Sequence, residues 1–239
     1  MTRMDAGIAR RRKKLDPDPR VRLKLLATAS KILREEGVRR LSVAEVLSRA
    51  QLSTRAFYRH FDSKDQLVSA VFLEMARVEM LRLRRRMTVG SNPVEAVVAW
   101  IDGRLDLAFD DQIRSDLRQM SLEAQSQMFA SPELVNPAYR EILQPLVEQL
   151  DKGKRLGLFP DIDPEADALS LQGAVWASVE RHWATGTCDR ADIRDHALRF
   201  CLRGLGVTAD AVSAVVGATE ERSANGLGAD RIDRRRHRR

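Results

Sequence analysis

Apolar side chains recur every three to four residues along almost the whole sequence, and this spacing constrains the fold more than any other feature. It matches the turn of an α-helix, about 3.6 residues, whereas the alternation by two that marks half-buried strands is missing. We therefore predict an all-α fold. With 239 residues, of which 44% are hydrophobic, the chain is long enough to bury a sizeable core.

Simple counts exclude several classes of protein. No run of about 18 apolar residues is present, so no transmembrane helix is expected. The basic segment Met1–Leu15 has no apolar stretch behind it and is not expected to be a signal peptide. Two cysteines, Cys188 and Cys201, are too few for a disulfide scaffold, and we interpret them as ordinary thiols, with a redox pair as the alternative.

Capping residues and glycines divide the chain into helices. The first helix is predicted from about Pro19 to Glu36, where Gly37 ends it. Its buried face is predicted to consist of Leu25, Leu26, Ala29, Ile32 and Leu33. Further helix starts are predicted at Ser42, Ser53, Ser63, Asn92, Ser131, Asp163, Asp189 and Thr208. Pro145 is expected to kink or break the helix that contains it.

The formal charge of +7 is spread unevenly along the chain. Residues 1–90 carry 22 Lys and Arg against 10 Asp and Glu, a net of +12, whereas residues 91–219 carry 12 against 20, a net of −8. Residues 220–239 carry 7 against 4, a net of +3. A basic N-terminal third joined to an acidic body indicates a polyanion-binding module attached to a body with another role.

Residues 42–61, SVAEVLSRAQLSTRAFYRHF, have the pattern of a short helix, a turn of about three residues and a second short helix. The inward side chains are predicted to be Ala44, Val46, Leu47, Leu52, Phe57 and Phe61, the last two spaced to fasten the second helix. The outward ones are predicted to be Thr54, Arg55, Tyr58, Arg59 and His60. Such a helix fits the major groove of DNA, and these groups suit phosphates and base edges.

The stretch from Leu25 to Ala70 resembles the TetR family of bacterial transcriptional regulators. The most specific part of the resemblance is LSTRAFYRHF at residues 52–61, followed by SKDQL at residues 63–67. The resemblance implies an N-terminal three-helix helix-turn-helix bundle and a C-terminal helical domain for ligand binding and dimerisation. It implies DNA contacts by Ser42, Ser53, Thr54, Arg55, Tyr58, Arg59, His60 and Lys64.

Two residues depart from the family pattern. Gln51 stands in the turn, where many members have Gly, and a left-handed conformation there costs Gln on the order of 1 kcal/mol. Arg55 stands where a small residue is frequent. It is long enough to reach a guanine edge with two hydrogen bonds, or it only neutralises phosphate, and the sequence leaves both roles open. Tyr58 likewise has packing as an alternative to DNA contact.

The predicted organisation has four parts. Residues 1–18 form a flexible basic arm, residues 19–66 the DNA-binding domain, residues 67–219 the effector-binding and dimerisation domain, and residues 220–239 a disordered basic tail. The arm is interpreted as a possible DNA contact, with a solubilising role as the alternative.

For the body, the resemblance implies a homodimer formed by the last two long helices. The helices at about 164–184 and 190–205 carry the small and apolar residues Ala166, Ala168, Leu169, Leu171, Ala174, Val175, Ala177, Val179, Ala191, Ile193, Ala197, Leu198 and Phe200. The alternative is that these residues are the core of one subunit. The preferred effector-binding candidates are Trp100, Met120, Phe129 and Trp176, in a cavity that suits a hydrophobic ligand.

The function predicted is a sequence-specific, cytoplasmic DNA-binding regulator, most simply a homodimeric repressor that a small-molecule effector releases from a palindromic operator. When bound to DNA it would be associated with the nucleoid. The alternatives are a nonspecific architectural DNA-binding protein and an all-α enzyme. No phosphate loop, nucleophile elbow or metalloprotease motif is present, so no catalytic residue and no cofactor are expected. His182, Cys188, Asp189 and His196 lack a compact zinc spacing, so no metal is expected.

Overall fold

The computed structural model describes residues 18–110, 115–186 and 189–217, and of residues 115–117 it describes the backbone only. Every regular element in this part of the chain is a helix, which confirms the all-α prediction. Its helices are α1 (Pro19–Glu36), α2 (Val43–Ala50), α3 (Thr54–Phe57), α4 (Lys64–Met87), α5 (Pro93–Phe109), α6 (Ser115–Ala130), α7 (Pro132–Arg155), α8 (Pro164–Thr185), α9 (Arg190–Gly204) and α10 (209–217). None of them is long and apolar enough to cross a membrane.

Three of the sequence-based expectations concern residues outside those ranges. They are the basic arm up to residue 17, the basic tail from residue 220 and the thiol of Cys188.

The described residues form two compact units, of which unit 1 ends at Val68 and unit 2 begins at Ser69. The boundary therefore falls within α4, which begins at Lys64 and ends at Met87.

Unit 1 is built on α1, whose bounds and buried face are those predicted. The side chain of Asp18 accepts a hydrogen bond from the backbone N–H of Arg20, and Pro19 occupies the first helical position, where a missing N–H costs nothing. Gly37 ends the helix with a φ of 77°, in the left-handed half of backbone space that glycine adopts without strain.

The two helices of the helix-turn-helix are each capped by a serine. Ser42 Oγ accepts from the backbone N–H of Glu45 at 3.1 Å, and Ser53 Oγ accepts from that of Ala56 at 3.3 Å. Val46 is fully buried and Leu47 half-buried, as the predicted inward face requires. The prediction for Ala44 is wrong, since this residue is exposed. It lies two residues from Val46, about 200° around the helix, so the two cannot share one face.

The turn between α2 and α3 contains Gln51, with φ 51° and ψ 48°. It is the one residue other than glycine with a positive φ among the described residues. Its backbone N–H is bonded to Leu47 and Ser48, so the left-handed conformation closes the end of α2. A side chain with a Cβ is strained in this conformation.

Gln51→Gly is therefore expected to raise the free energy of unfolding by about 0.5–1 kcal/mol, because it removes the Cβ strain and this gain exceeds the greater flexibility of glycine in the unfolded chain. Chemical denaturation followed by circular dichroism measures the change. Gln51→Ala is the control, since it keeps the Cβ and should give no gain. A Gly variant no more stable than the Ala variant would show that the conformation is not strained.

Unit 2 is organised around α5, which packs against α7, α8 and α9. Its apolar side chains, among them Trp100, Ile101 and Leu105, are fully buried and form one continuous core with side chains of α7 to α10. Of the kink or break expected at Pro145, the break is wrong, because α7 runs continuously from Pro132 to Arg155. Leu143 and Leu146 are buried on either side of Pro145, so core packing holds both turns in one helix although one backbone hydrogen bond is lost.

Candidate nucleic-acid interface and ligand cavity

The short helix α3 and the residues that follow it present polar side chains to solvent. Thr54, Arg55 and Arg59 are exposed, and so is Tyr58, with 57% of its surface accessible. His60 is half-buried. The predicted outward face of this segment is thus the exposed one. It offers a hydroxyl, two guanidinium groups, a phenol and an imidazole along one short stretch, which is the chemistry that phosphates and base edges require.

The cations of this face are not used for internal ion pairs. Among the described residues, Arg55, Arg59 and Lys64 make no salt bridge. Arg49, on the preceding helix, is different, because it pairs with Glu35, Glu36 and Glu45. Its hydrogen bonds to Glu45 and Glu36 raise the pKa of its guanidinium. Arg49 therefore ties α2 to the end of α1, while Arg55, Arg59 and Lys64 keep their donors for a partner.

The aromatic residues of the segment divide into core and surface. Phe57 is fully buried and Phe61 is 3% exposed, with ring centroids 5.9 Å apart. Arg22 of α1 lies over the Phe61 ring at 5.5 Å. Tyr58 contacts Phe57 edge-on at 5.2 Å, yet its own ring is mainly in solvent. Packing therefore accounts for both phenylalanines but for only one edge of Tyr58.

Backbone N–H groups at the start of α4 are hydrogen-bonded by side chains of the same segment. Ser63 Oγ accepts from the backbone N–H of Gln66 at 3.1 Å, and Gln66 Oε1 accepts from that of Asp62. Lys64 occupies the first position of the helix and is half-buried. Ser42 and Ser53, which cap α2 and α3, are both exposed, and each hydroxyl retains a donor beyond its capping bond.

Unit 2 contains a cavity of about 490 Å³, including the solvent space at its mouth, between α4, α5, α6, α7 and α8. It is lined by Phe72, Met75, Ala76, Glu79, Arg104, Met120, Ser121, Ala124, Ala138, Tyr139, Ile142 and Trp176. Most of these side chains are apolar, and the few polar ones sit among them. A mainly apolar pocket with a small number of placed polar groups is the usual form of a small-molecule site.

Two of the four preferred effector residues line this cavity, namely Met120 and Trp176. Phe129 does not line it, because this residue is 86% exposed to solvent. Trp100 is fully buried in the core of unit 2 and is not among the residues that line the cavity.

The charged residues of the cavity were missed in the sequence. Glu79 and Arg104 are 2% and 5% exposed, and Arg104 Nη1 donates to Glu79 Oε1 at 3.1 Å. Arg82 donates to both oxygens of the same carboxylate at 2.7 and 2.9 Å. Burial opposes the charge of Glu79, but Arg82 and Arg104 outweigh burial and lower the pKa of Glu79. The sequence feature that could have revealed them is Arg104, an arginine within the mainly apolar sequence of α5.

Tyr139 and Trp176 complete the polar part of the wall. The Tyr139 hydroxyl donates to Gln125 Oε1 at 2.7 Å, and burial raises its pKa, so it remains a neutral phenol. Trp176 Nε1 donates to Glu180 Oε1 at 2.8 Å. The guanidinium of Arg104 lies over the Trp176 ring, 5.9 Å from its centroid.

The helices predicted to form a dimer have two different faces. Ala168, Leu171, Val175, Val179, Ile193, Ala197 and Leu198 are buried within the chain itself. On the opposite face of α8 the exposed small and apolar residues are Ala166, Leu169, Ser170, Gly173, Ala177 and Ala184, and α9 exposes Phe200. Leu169 is 56% exposed and Phe200 64%. We refer to these exposed residues as the α8–α9 face.

The remaining candidates for chemistry that the structure describes are the possible metal ligands and Cys201. Among the described residues, no three His, Cys, Asp or Glu side chains lie close enough to hold a metal ion. Cys201 is buried, and burial raises the pKa of its thiol to about 12. A thiol with such a pKa is protonated and unreactive at neutral pH.

The fold and the exposed segment together place the chain in the class of all-α proteins whose N-terminal unit carries a helix-turn-helix. Residues 25–71 match the family model described as bacterial regulatory proteins, tetR family. No curated protein matches the chain in sequence. The family-model match identifies residues 25–71 as a segment similar to the DNA-binding unit of that family, and the solved structures that follow share the fold of the chain as a whole.

Solved structures with the same fold include three informative relatives. RolR in complex with resorcinol is 20% identical, with a TM-score of 0.58 over 82% of this chain and 93% of that one. A tetR family transcription regulator from Shewanella sp. PV-4 is 17% identical, with a TM-score of 0.59 over 77% and 97%. A transcriptional regulator from Saccharomonospora viridis in complex with choline is 18% identical, with a TM-score of 0.56 over 77% and 96%.

Proposed function

We propose that the protein is a homodimeric repressor that binds a palindromic operator and is released from it by a small effector. The observation that carries the proposal is the exposed face of α3, whose cations have no internal partner. Free guanidinium and ammonium groups beside a phenol suit a polyanion, and the short helix beneath them suits a major groove.

The proposed DNA contacts fall into two kinds. Thr54 and Arg55, at the start of α3, are assigned to base edges, because the N-terminal residues of a recognition helix lie deepest in the groove. Ser42, Ser53, Tyr58, Arg59, His60 and Lys64 are assigned to the phosphate backbone. Phosphate contacts fix position and supply salt-dependent affinity, whereas base contacts carry the specificity.

Dimerisation is assigned to the α8–α9 face, with support from its one glycine. A Cβ built at Gly173 meets no atom within 4 Å, although a helix interior disfavours glycine by about 1 kcal/mol relative to alanine. Gly103 and Gly153 are explained within the chain, because a Cβ there would lie 2.7 Å from Leu83 and 2.2 Å from Phe159. An exposed glycine beside Leu169 suits the close approach of a second helix.

Ligand release is assigned to the cavity of unit 2. Helix α4 contributes Phe72, Met75, Ala76 and Glu79 to the wall, and the same helix begins at Lys64 among the proposed DNA contacts. A ligand that rearranges this wall acts on the helix that carries Lys64. By linkage, DNA must then weaken the affinity for the ligand by the same factor. RolR and the Saccharomonospora regulator, which hold resorcinol and choline, support a small-molecule role.

The test is the ratio of affinities for a selected duplex and for its shuffled sequence at one fixed salt concentration. A specific regulator is expected to prefer its site by about 10³-fold or more. Equal affinities would instead show a nonspecific architectural protein. We propose no enzymatic activity, and turnover of a bound ligand by the purified protein would contradict that part of the proposal.

Arg55→Ala is expected to relax the base preference at one position of each half-site, with a loss of about 1–3 kcal/mol on the preferred base only. Arg59→Ala is the matched comparison and should weaken all sequences about equally while lowering the salt dependence by about one counterion. Binding to a set of single-base variants of the selected site measures both. A uniform loss for Arg55→Ala would assign this residue to phosphate as well.

A further inference from the structure

The wall of the unit-2 cavity carries one cation whose hydrogen-bonding capacity is largely unused. A guanidinium has five N–H donors, and within the described residues Arg104 donates only to Glu79 Oε1, at 3.1 Å. Its side chain is 6% exposed, so bulk water reaches only a small part of the guanidinium. A buried charge with too few hydrogen-bond partners is energetically costly. A ligand that offers an acceptor to this charge removes that cost, and the free energy recovered favours binding.

The carboxylate beside it does not cancel this charge. Both oxygens of Glu79 already accept from Arg82, so one carboxylate serves two cations. Arg82 also donates to the backbone oxygen of Gly103, and its nearest other carboxylate is Asp106, at 3.7 Å. Asp106 in turn pairs with Arg86 and Arg190. Asp110 also acts electrostatically on Arg82, so the cluster behind the cavity contains four arginines against three carboxylates.

The rest of the wall determines what accompanies the charged group. Phe72, Met75, Met120, Ile142 and Trp176 supply apolar surface. Neutral polar groups are limited to the Ser121 hydroxyl and the Tyr139 phenol, which already donates to Gln125. An occupant with one apolar ring or short chain and one acidic end matches this distribution. An ammonium ligand would have to compete for Glu79, because this carboxylate already pairs with Arg82 and Arg104.

We propose that the cavity binds a small amphipathic anion, an apolar ring or chain with a single carboxylate or phenolate that pairs with Arg104. The inference rests on the proposed effector role of the cavity and specifies its chemistry. It distinguishes this site from one that takes a quaternary ammonium such as choline, and it makes Arg104 the residue that selects charge.

The experiment measures binding to the full-length protein without DNA, by calorimetry or by tryptophan fluorescence, to which Trp176 of the cavity wall contributes. The probes are benzoate and hexanoate, their neutral amides benzamide and hexanamide, and the cation benzylammonium. The carboxylates are expected to bind about 10- to 100-fold more tightly than their amides, the range given by a charge-assisted hydrogen bond. Benzylammonium should bind more weakly than either.

Three variants locate the effect. Arg104→Met keeps most of the volume and leaves Glu79 paired with Arg82, so the preference for carboxylate over amide should disappear while the amides still bind. Arg104→Lys keeps the positive charge but lacks the paired N–H donors of the guanidinium, so it should retain part of the preference for carboxylate. This variant tests the proposal independently if the Met variant does not fold. Arg194→Met is the control, because Arg194 is equally buried but pairs with Asp102 outside the cavity.

Ala124→Leu fills the cavity and should weaken all probes alike. The proposal is overturned if no carboxylate binds, if an amide or benzylammonium binds as tightly, or if the Arg104 variants keep the full preference. Unaltered binding by Ala124→Leu would place the probes elsewhere and overturn it too. Operator release is measured separately. A carboxylate that binds without releasing DNA contradicts the repressor mechanism and leaves the ligand class standing.

Discussion

Phe57→Ala is expected to unfold unit 1 while unit 2 stays folded. Phe57 is fully buried and contacts Phe61, so truncation leaves a cavity in the core of unit 1, the shorter of the two units. Phe→Ala in a core costs about 3–5 kcal/mol, which is comparable to the whole stability of a small domain. All three tryptophans, Trp100, Trp176 and Trp183, lie in unit 2. Circular dichroism should therefore lose part of its signal before tryptophan fluorescence changes.

Tyr58→Ala is the matched control, because it removes the neighbouring aromatic ring from the surface. With 57% of its side chain exposed, its loss should change stability by less than about 1 kcal/mol. It should weaken DNA binding across all sequences, as a phosphate contact does. A destabilisation equal to that of Phe57→Ala would show that Tyr58 is a packing residue. Coincident transitions in Phe57→Ala would show that the two units do not unfold separately.

Gly173→Arg is expected to convert the dimer to monomers and to lower operator affinity by about 10²- to 10⁴-fold, the gain that two linked half-sites provide. Gly173 lies on the exposed face of α8, and around a two-fold axis two arginines would meet. Arginine favours a helix more than glycine does, so the monomer itself should not be destabilised. Sedimentation at micromolar concentration and binding to the selected operator measure the two effects.

Ser126→Arg is the control for this variant. Ser126 is an exposed residue inside α6, a helix that is not part of the α8–α9 face, and its substitution adds the same charge to unit 2. It should leave both the dimer and operator affinity as they are. A Gly173→Arg protein that remains dimeric would mean that α8 does not form the interface. A monomeric parent protein would contradict the dimer as a whole.

Helix boundaries were predictable because they depend on local chemistry. Asp18, Asn92 and Asp163 cap their helices through hydrogen bonds to backbone N–H groups within three residues, and these patterns are visible in the sequence. The exposed face of α3 was predictable for a similar reason, since Phe57 and Phe61 fix which side is buried. Pro145 was misjudged because core packing, which is not local, decided the outcome.

The cavity was harder to predict because it depends on which helices meet. Met120 and Phe129 were both candidates, yet they are nine residues apart on α6, about two and a half turns, and so face opposite sides. Only one of them can line a given wall. Arg104 was overlooked because an isolated arginine in a helix is usually at the surface. Its burial requires Glu79 of α4, and sequence alone does not show that the two meet.

The apolar residues of α8 show a related limit. Leu169 and Leu171 are both leucines, but the first is exposed and the second is buried. A helix that is apolar on most sides does not reveal which face packs within its own chain. In the folded protein the two faces are distinct, and the exposed one is the surface assigned to the partner.

Selection of bound duplexes from a random pool tests the central claim most directly. A homodimer that reads DNA through α3 should enrich an inverted repeat, because two recognition helices related by a two-fold axis contact two half-sites. The enriched positions should include one that loses its preference in Arg55→Ala. A pool that stays random, or that yields only single unpaired sites, would contradict a dimeric, sequence-specific regulator.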